Sequence, residues 1–456
     1  MGKPLRRLDP GARAVAPAHR DRQPLDAGGA APEHARMNPL ATRTQEAPSR
    51  FALFAAVSKI HDTSTLRELV ESYASPLRAL GGETWEPGAG RAASPLVVFV
   101  ATGGTERHIL ESAEFDAREP ALLVAHPGHN SLPAAMEVLA RVQQLGIRGQ
   151  VHYLRGPADT DGLQRLAEAL HDHRVRRALI ESRIGLVGEP SDWLVASSPA
   201  IETVRTVWGP AVVPIPLEAI LSEPDQEIAA RGEALARDFR AGAGALVEPA
   251  ESDLLAAGRV HAMLRRVVEA GRLDAVAVRC FDLVLRQRTT GCLALAQLND
   301  QGIIAGCEGD LVATVTMLWL HRMIGSIPWM ANPSRIDLDG GLLSLAHCTV
   351  PRSLSGAYRL RSHFESGLGV GIQGTMPTGP VTLVRIGGAR MERLRVIDGD
   401  LRCNTDHADL CRTQVEIEVG RDFLQDLLAQ PLGNHMVVMS GHHAATLRRW
   451  HGAMIA

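Results

Sequence analysis

The run Cys307-Glu308-Gly309-Asp310 puts two carboxylates and a thiol at the mouth of an apolar stretch. Acidic side chains are rarely buried unless they are paired or hold a metal. The run therefore reads either as a helix start with acidic caps or as part of a site. Further ligand types stand at the ends of apolar runs: His347 in LAHCTVP, His363 and Glu365 in SHFESG, and His435, His442 and His443 in PLGNHMVVMSGHH. Carboxylates and imidazoles together suit a divalent ion such as Mn²⁺. These residues are far apart in sequence, so only the fold can bring them together.

Three other segments offer weaker chemistry. VATGGTERHIL sets a Gly pair before a helix start; it reads as a tight turn with Thr105 as N-cap, or as an anion cradle. AHPGHNSLPAAMEV carries His126 and His129 in a strand-to-helix loop, where parallel sheets bind ligands. The alternative there is a plain helix cap by Asn130 or Ser131. In GEPSDWLVAS, Ser191 reads as a cap with Trp193 packed beneath it. There is no G-x-S-x-G elbow and no H-E-x-x-H, so neither a nucleophile elbow nor a zincin helix is indicated.

The elements that must position these residues follow from hydrophobic patterning. Residues 1–50 are rich in Pro, Ala, Gly and Arg without apolar period and read as a disordered tail, with Met37 as an alternative start. From Phe51, short apolar runs alternate with helical stretches, the signature of βαβ units and a parallel sheet. Residues 51–177 read as a Rossmann-like doubly wound domain, and 178–340 as a second α/β domain. Past about 340, short alternating segments bounded by Gly predict a mostly antiparallel β domain over 341–456.

Composition narrows the function. The net charge of −3 and the 4% aromatic content give no basis for nucleic acid or a membrane surface as partner. No run of 18 apolar residues predicts a transmembrane helix, and the N-terminus lacks a signal-peptide core. The six cysteines form no C-x-x-C pair, which predicts buried free thiols in a reducing, cytoplasmic setting.

Four phrases carry a resemblance. GCEGD (306–310), LAHCTVP (345–351), GPVTLVRIGG (379–388) and GNHMVVMSG (433–441) resemble, in that order, the core of L-fucose isomerase and L-arabinose isomerase. ATGGTE, EPSDWL, ALAQLND and SHFESG are similar to a fucose isomerase-like subgroup, and the resemblance spans about residues 51–445. It implies an aldose–ketose isomerase whose divalent metal, usually Mn²⁺, binds the sugar's O1 and O2. It implies a carboxylate that moves a proton between C1 and C2 through an enediol. Glu308 and Glu365 are then the expected catalytic acids, and Glu308, Asn332, His347 and His435 the expected metal set. Phe281, His129 and Trp193 are the expected substrate contacts. The family's second acid belongs in WMANPSRID, where this chain has Ala331 or Asn332. Glu365, Asp310 or Asp337 could substitute for it, or the reaction could be an epimerisation, decarboxylation or retro-aldol step. A silent sugar-binding protein is the third possibility. The resemblance also implies a trimer or hexamer, with His129 reaching a neighbour's site.

Overall fold

The apolar runs after Arg50 carry almost no polar side chains, so they are stable only as strands covered on both faces. The computed structural model describes residues 50–58, 63–90 and 95–455. Apart from Arg50, the expected tail lies outside those residues. Strands β1 (Phe51–Ala56), β2 (Gly82–Thr84), β3 (Leu96–Val100), β4 (Ala121–Ala125) and β5 (Gly149–Tyr153) form a parallel sheet in the order β2-β1-β3-β4-β5. Alternate residues face opposite cores. Phe54, Val98 and Val100 pack with Ile109 and Val138 on one side. Leu53, Val97 and Phe99 pack with Leu77 and Leu166 on the other. This is the doubly wound arrangement expected for the first α/β region.

A second parallel sheet follows, β6 (Arg183–Val187), β7 (Ala211–Ile215), β8 (Ala275–Val278) and β9 (Ile304–Gly306), in the order β7-β6-β8-β9. The apolar helix Leu311–Ile324 leaves β9 and is buried along most of its length. Such a helix needs cover all round, and two strands of the last region, Gly379–Gly387 and Met436–Ser440, supply part of it.

That last region is a closed antiparallel barrel. Its strands are β10 (Trp329–Asp337), β11 (Leu342–His347), β14 (Gly379–Gly387), β15 (Arg393–Asn404), β16 (Thr413–Glu418) and β17 (Met436–Ser440). A separate hairpin pairs β12 (Ala357–Arg361) with β13 (Gly371–Thr375). The boundary expected at 340 falls after the first barrel strand, because WMANPSRID pairs with β11 and β17 rather than ending the second α/β region. The register between β10 and β11 shifts between Pro333 and Arg335, beside Asn332. Irregularities of this kind re-aim side chains at barrel rims. The described residues form one compact unit. No described helix is long and apolar enough to cross a membrane.

Candidate metal centre

The turn after β9 is built from two left-handed residues, Glu308 (φ 62°) and Gly309 (φ 70°). A non-glycine residue held there costs about 1–2 kcal/mol, so the turn must be secured by its surroundings. A Cβ on Gly309 would stand 2.9 Å from the Glu189 carbonyl oxygen and from Pro190 Cα. Its absence lets the 189–194 segment lie against the turn. Ser191 N then donates to the Glu308 carbonyl at 2.9 Å, and Trp193 Nε1 donates to Glu308 Oε2 at 2.6 Å. Arg279 Nη1 donates to the Pro190 carbonyl at 2.8 Å and pins the same segment.

Asp310 is the N-cap of the helix Leu311–Ile324, its Oδ1 accepting from Ala313 N at 2.7 Å. The acidic cap expected from sequence is therefore present, and it has a second role. Oδ2 accepts from His435 Nδ1 at 2.9 Å, and Arg385 Nη1 lies 3.4 Å from the same oxygen. Arg385 is buried, and it also donates to the His435 carbonyl and to Ser197 Oγ. A Cβ on Gly433 would stand 2.1 Å from the Arg385 guanidinium. The glycine of GNHMVVMSG is thus what admits this cation beneath His435.

The barrel rim delivers the imidazoles. His347 ends β11, and His435 directly precedes β17. Asn332 lies opposite Ala346 on β10, next to both. The two rings have centroids 5.6 Å apart. Ligand atoms of Glu308, His347 and His435 all lie within 4.8 Å of one another. His347 Nδ1 is hydrogen bonded to Thr349 Oγ1 at 2.8 Å. His435 Nε2 is fully buried without a hydrogen-bond partner and stands 3.6 Å from Glu308 Oε1. A buried imidazole nitrogen left open, with its other nitrogen oriented by a carboxylate, is the arrangement of a metal-ligating histidine.

Charges in the cluster are strongly interdependent. Burial opposes the charge on His435, but the flanking Asp310 and Glu308 carboxylates outweigh it and push its pKa up to about 9. Burial likewise opposes ionisation of Glu308. His435, the Trp193 hydrogen bond and His347 prevail and hold Glu308 below the usual carboxylate range. His347 is pulled down to about 4, by burial first and then by the His435 charge.

Glu308 and His347 face a pocket of about 420 Å³, whose lining does not include His435. Asn332, Glu365, Phe281 and Trp193 line it together with Glu308 and His347. Glu365 is exposed, whereas Glu308 is buried. Two acids offered from sequence as substitutes are committed elsewhere: Asp310 behind His435, and Asp337 in a turn, where it accepts from Asp339 N and Gly340 N. His129 does not line the pocket; it is exposed in the loop after β4. Trp193 is 52% exposed and reaches Glu308, so the packing role expected for it is replaced by contact with the site. No helix follows Ser191 directly. Thr105 occupies an N-cap position but directs its hydroxyl to the Thr102 carbonyl.

Sequence reasoning missed two features. Arg385 and Gly433 lie inside quoted motifs, but only the fold shows that one accommodates the other. Five of the six cysteines, Cys280, Cys292, Cys307, Cys348 and Cys411, line the same pocket. Their spacing gave no sign of it, because they belong to five different loops and helix starts.

No family model matches the chain. It is 24% identical over 260 residues to a sulfoquinovose isomerase of Priestia megaterium, covering 51% of this chain and 54% of that protein. A Priestia aryabhattai protein of the same description matches to the same extent. A sulfoquinovose isomerase of Alkalicoccus urumqiensis is 25% identical over 158 residues, 31% of this chain and 35% of its own. The chain thus spans about half the length of the first two relatives.

Proposed function

We propose that this chain is a metal-dependent aldose–ketose isomerase acting on a small sugar or sugar derivative in the pocket around Glu308. The observation that carries the reading is the convergence of Glu308, His347 and His435, with His435 Nε2 buried and open. Relatives described as sulfoquinovose isomerases support the reaction class. The resemblance to L-fucose and L-arabinose isomerases supports the choice of a divalent ion, Mn²⁺ first. The N,N,O donor set fits such an ion.

Glu308, His347 and His435 would hold the ion, and Asn332 could add a carbonyl oxygen from the adjacent strand. The ion supplies Lewis acidity toward a carbonyl and its neighbouring hydroxyl. Glu308 is ionised and therefore able to accept a proton at a sugar carbon and return it to the next one through an enediol. The Trp193 indole N–H, bonded to Glu308 Oε2, keeps the carboxylate oriented. It also lowers its basicity, because a donor to the charged form favours that form. Asp310 and Arg385 hold His435 in place. Phe281 meets Trp193 edge to face, with centroids 5.0 Å apart, and gives the pocket an apolar wall. Glu365, at the pocket rim, is the candidate for handling the hydroxyl proton.

Incubating the Mn²⁺-loaded protein with a panel of aldoses in D₂O tests the reaction. Ketose formation with solvent deuterium at C1 or C2 is expected. A second reading rests on Asn332, which lines the pocket where a second acid was expected. Metal binding without deuterium incorporation from any sugar would replace isomerisation with an epimerisation, decarboxylation or retro-aldol reaction at the same site.

A further inference from the structure

The metal reading leaves the pocket's thiols unused. Cys280 and Cys307 stand at the carboxyl ends of adjacent parallel strands, β8 and β9, which pair through Ala277 and Gly306. Their sulfurs are 2.8 Å apart. That is inside an ordinary thiol–thiol contact and less than 1 Å longer than a disulfide bond of about 2.05 Å. Both are buried, yet both line the pocket, which is large enough to admit a small oxidant. Each is followed directly by a residue of the site: Cys280 by Phe281, and Cys307 by Glu308. Cys280 is also the N-cap residue of the helix Phe281–Gln287, and Cys307 opens the left-handed turn. A bond between the sulfurs therefore ties the aromatic wall to the carboxylate turn.

We propose that Cys280 and Cys307 are a reversible redox pair, oxidised by hydrogen peroxide to a disulfide that weakens metal binding at Glu308. The coupling to metal, though not the disulfide itself, rests on the reading of the metal centre given above. One thiol first takes an oxygen atom from peroxide, becoming a sulfenic acid and releasing water. The second thiol attacks that sulfur, forming the S–S bond and releasing a second water. Two thiols have then lost two electrons and two protons, and one peroxide has become two waters. A dithiol such as dithiothreitol reverses the step by exchange.

Full-length protein is exposed to excess peroxide, unreacted thiols are alkylated, and the peptides are mapped with and without dithiothreitol. Exposed Cys403 reports that the oxidant acted. The expected result is a dithiothreitol-sensitive cross-link joining the peptides of Cys280 and Cys307, with loss of two hydrogen masses. Cys280→Ala and Cys307→Ala should each abolish it. Both thiols still alkylatable after Cys403 is oxidised would overturn the proposal. So would a cross-link that instead joins Cys348 to Cys292 or Cys411. Mn²⁺ titration of the reduced and oxidised wild-type protein reads the coupling. Binding about tenfold weaker after oxidation, restored by dithiothreitol, is expected from disturbance of a ligand's support. Equal affinity in the cross-linked protein would overturn the coupling. Failure of the reduced protein to bind Mn²⁺ would sink the metal reading while leaving the cross-link result to stand on its own.

Discussion

The two parallel sheets wind in the same order and offer the same kind of crevice beyond their strand ends, yet they treat their polar groups in opposite ways. In the crevice of the first sheet, the polar side chains beyond β3 and β4 are matched by backbone groups, although His152 Nε2, within β5, is buried without a partner. His126 Nε2 donates to the Ala101 carbonyl and its Nδ1 accepts from Gly128 N. Ser131 Oγ donates to the Val100 carbonyl, and Thr102 Oγ1 accepts from Ser58 N. At the second sheet, Glu308 leaves β9 in a left-handed turn, and the barrel rim brings two imidazoles to it. There His435 Nε2 is buried and open. A parallel sheet supplies a place for chemistry. The second sheet's site differs because another structural layer completes it and the unmatched nitrogen of His435 stands among two further ligand groups, Glu308 and His347.

The sharpest way to break this contrast is to remove the central acid. Glu308→Gln should weaken Mn²⁺ binding at least ~100-fold, beyond the loss typical of a supporting residue, and abolish isomerisation. His126→Gln in the first sheet should leave Mn²⁺ affinity unchanged. Calorimetric titration of both variants measures the difference, and comparable losses would erase the distinction between the sheets.

Next in size is the support of His435. Asp310→Asn keeps an N-cap acceptor but removes the charge that faces Arg385 and His435. Mn²⁺ affinity should fall about 10–100-fold. Stability should fall by about 3 kcal/mol, because a buried guanidinium loses its partner. Denaturant unfolding of the metal-free variant checks the second figure.

Acid should act differently on the two regions. The metal-free His435 pKa is raised to about 9 from 6.5. Its contribution to stability is full below pH 6.5 and is lost as pH rises through 9. Metal must displace that proton, so apparent Mn²⁺ affinity should rise roughly tenfold per pH unit between about 7 and 9. The pKa of His126 is lowered, chiefly by burial. The stability that region derives from a neutral imidazole is present above pH 6.5 and is lost as pH falls below it. Mn²⁺ titrations across pH, paired with hydrogen exchange in the first sheet, read the two signs separately.

The smallest expected effect is at the pocket mouth. Trp193→Phe removes the donor to Glu308 Oε2 and keeps a ring beside Phe281. Loss of a hydrogen bond to a charged group at a half-exposed site corresponds to about 1.5 kcal/mol, or a roughly tenfold fall in kcat/KM with metal affinity nearly unchanged.

Much of this was legible in the sequence, and the rest failed for identifiable reasons. Alternating apolar runs and helical stretches pointed to the parallel sheets because strands covered on both faces leave little choice of residue. The Gly-bounded segments pointed to antiparallel strands, but closure into a barrel depends on β10, whose WMANPSRID run resembles the end of an α/β region as much as a strand. Glu308, His347 and His435 were singled out by residue type and motif. Their meeting point needed the β9 turn and the barrel rim together. Trp193 looked like packing because its indole partner is 115 positions away. Asp310 was legible as a cap, but its hold on His435 was not, since that link crosses from a helix start to a barrel strand.

The central claim is that Glu308, His347 and His435 hold one divalent ion. Crystals of the full chain soaked in Mn²⁺, measured at the manganese absorption edge, test it most directly. The account predicts an anomalous peak bounded by the Glu308 carboxylate, His435 Nε2 and an imidazole nitrogen of His347. A saturated crystal with no peak among those three side chains, or with its strongest peak at other residues, would contradict it.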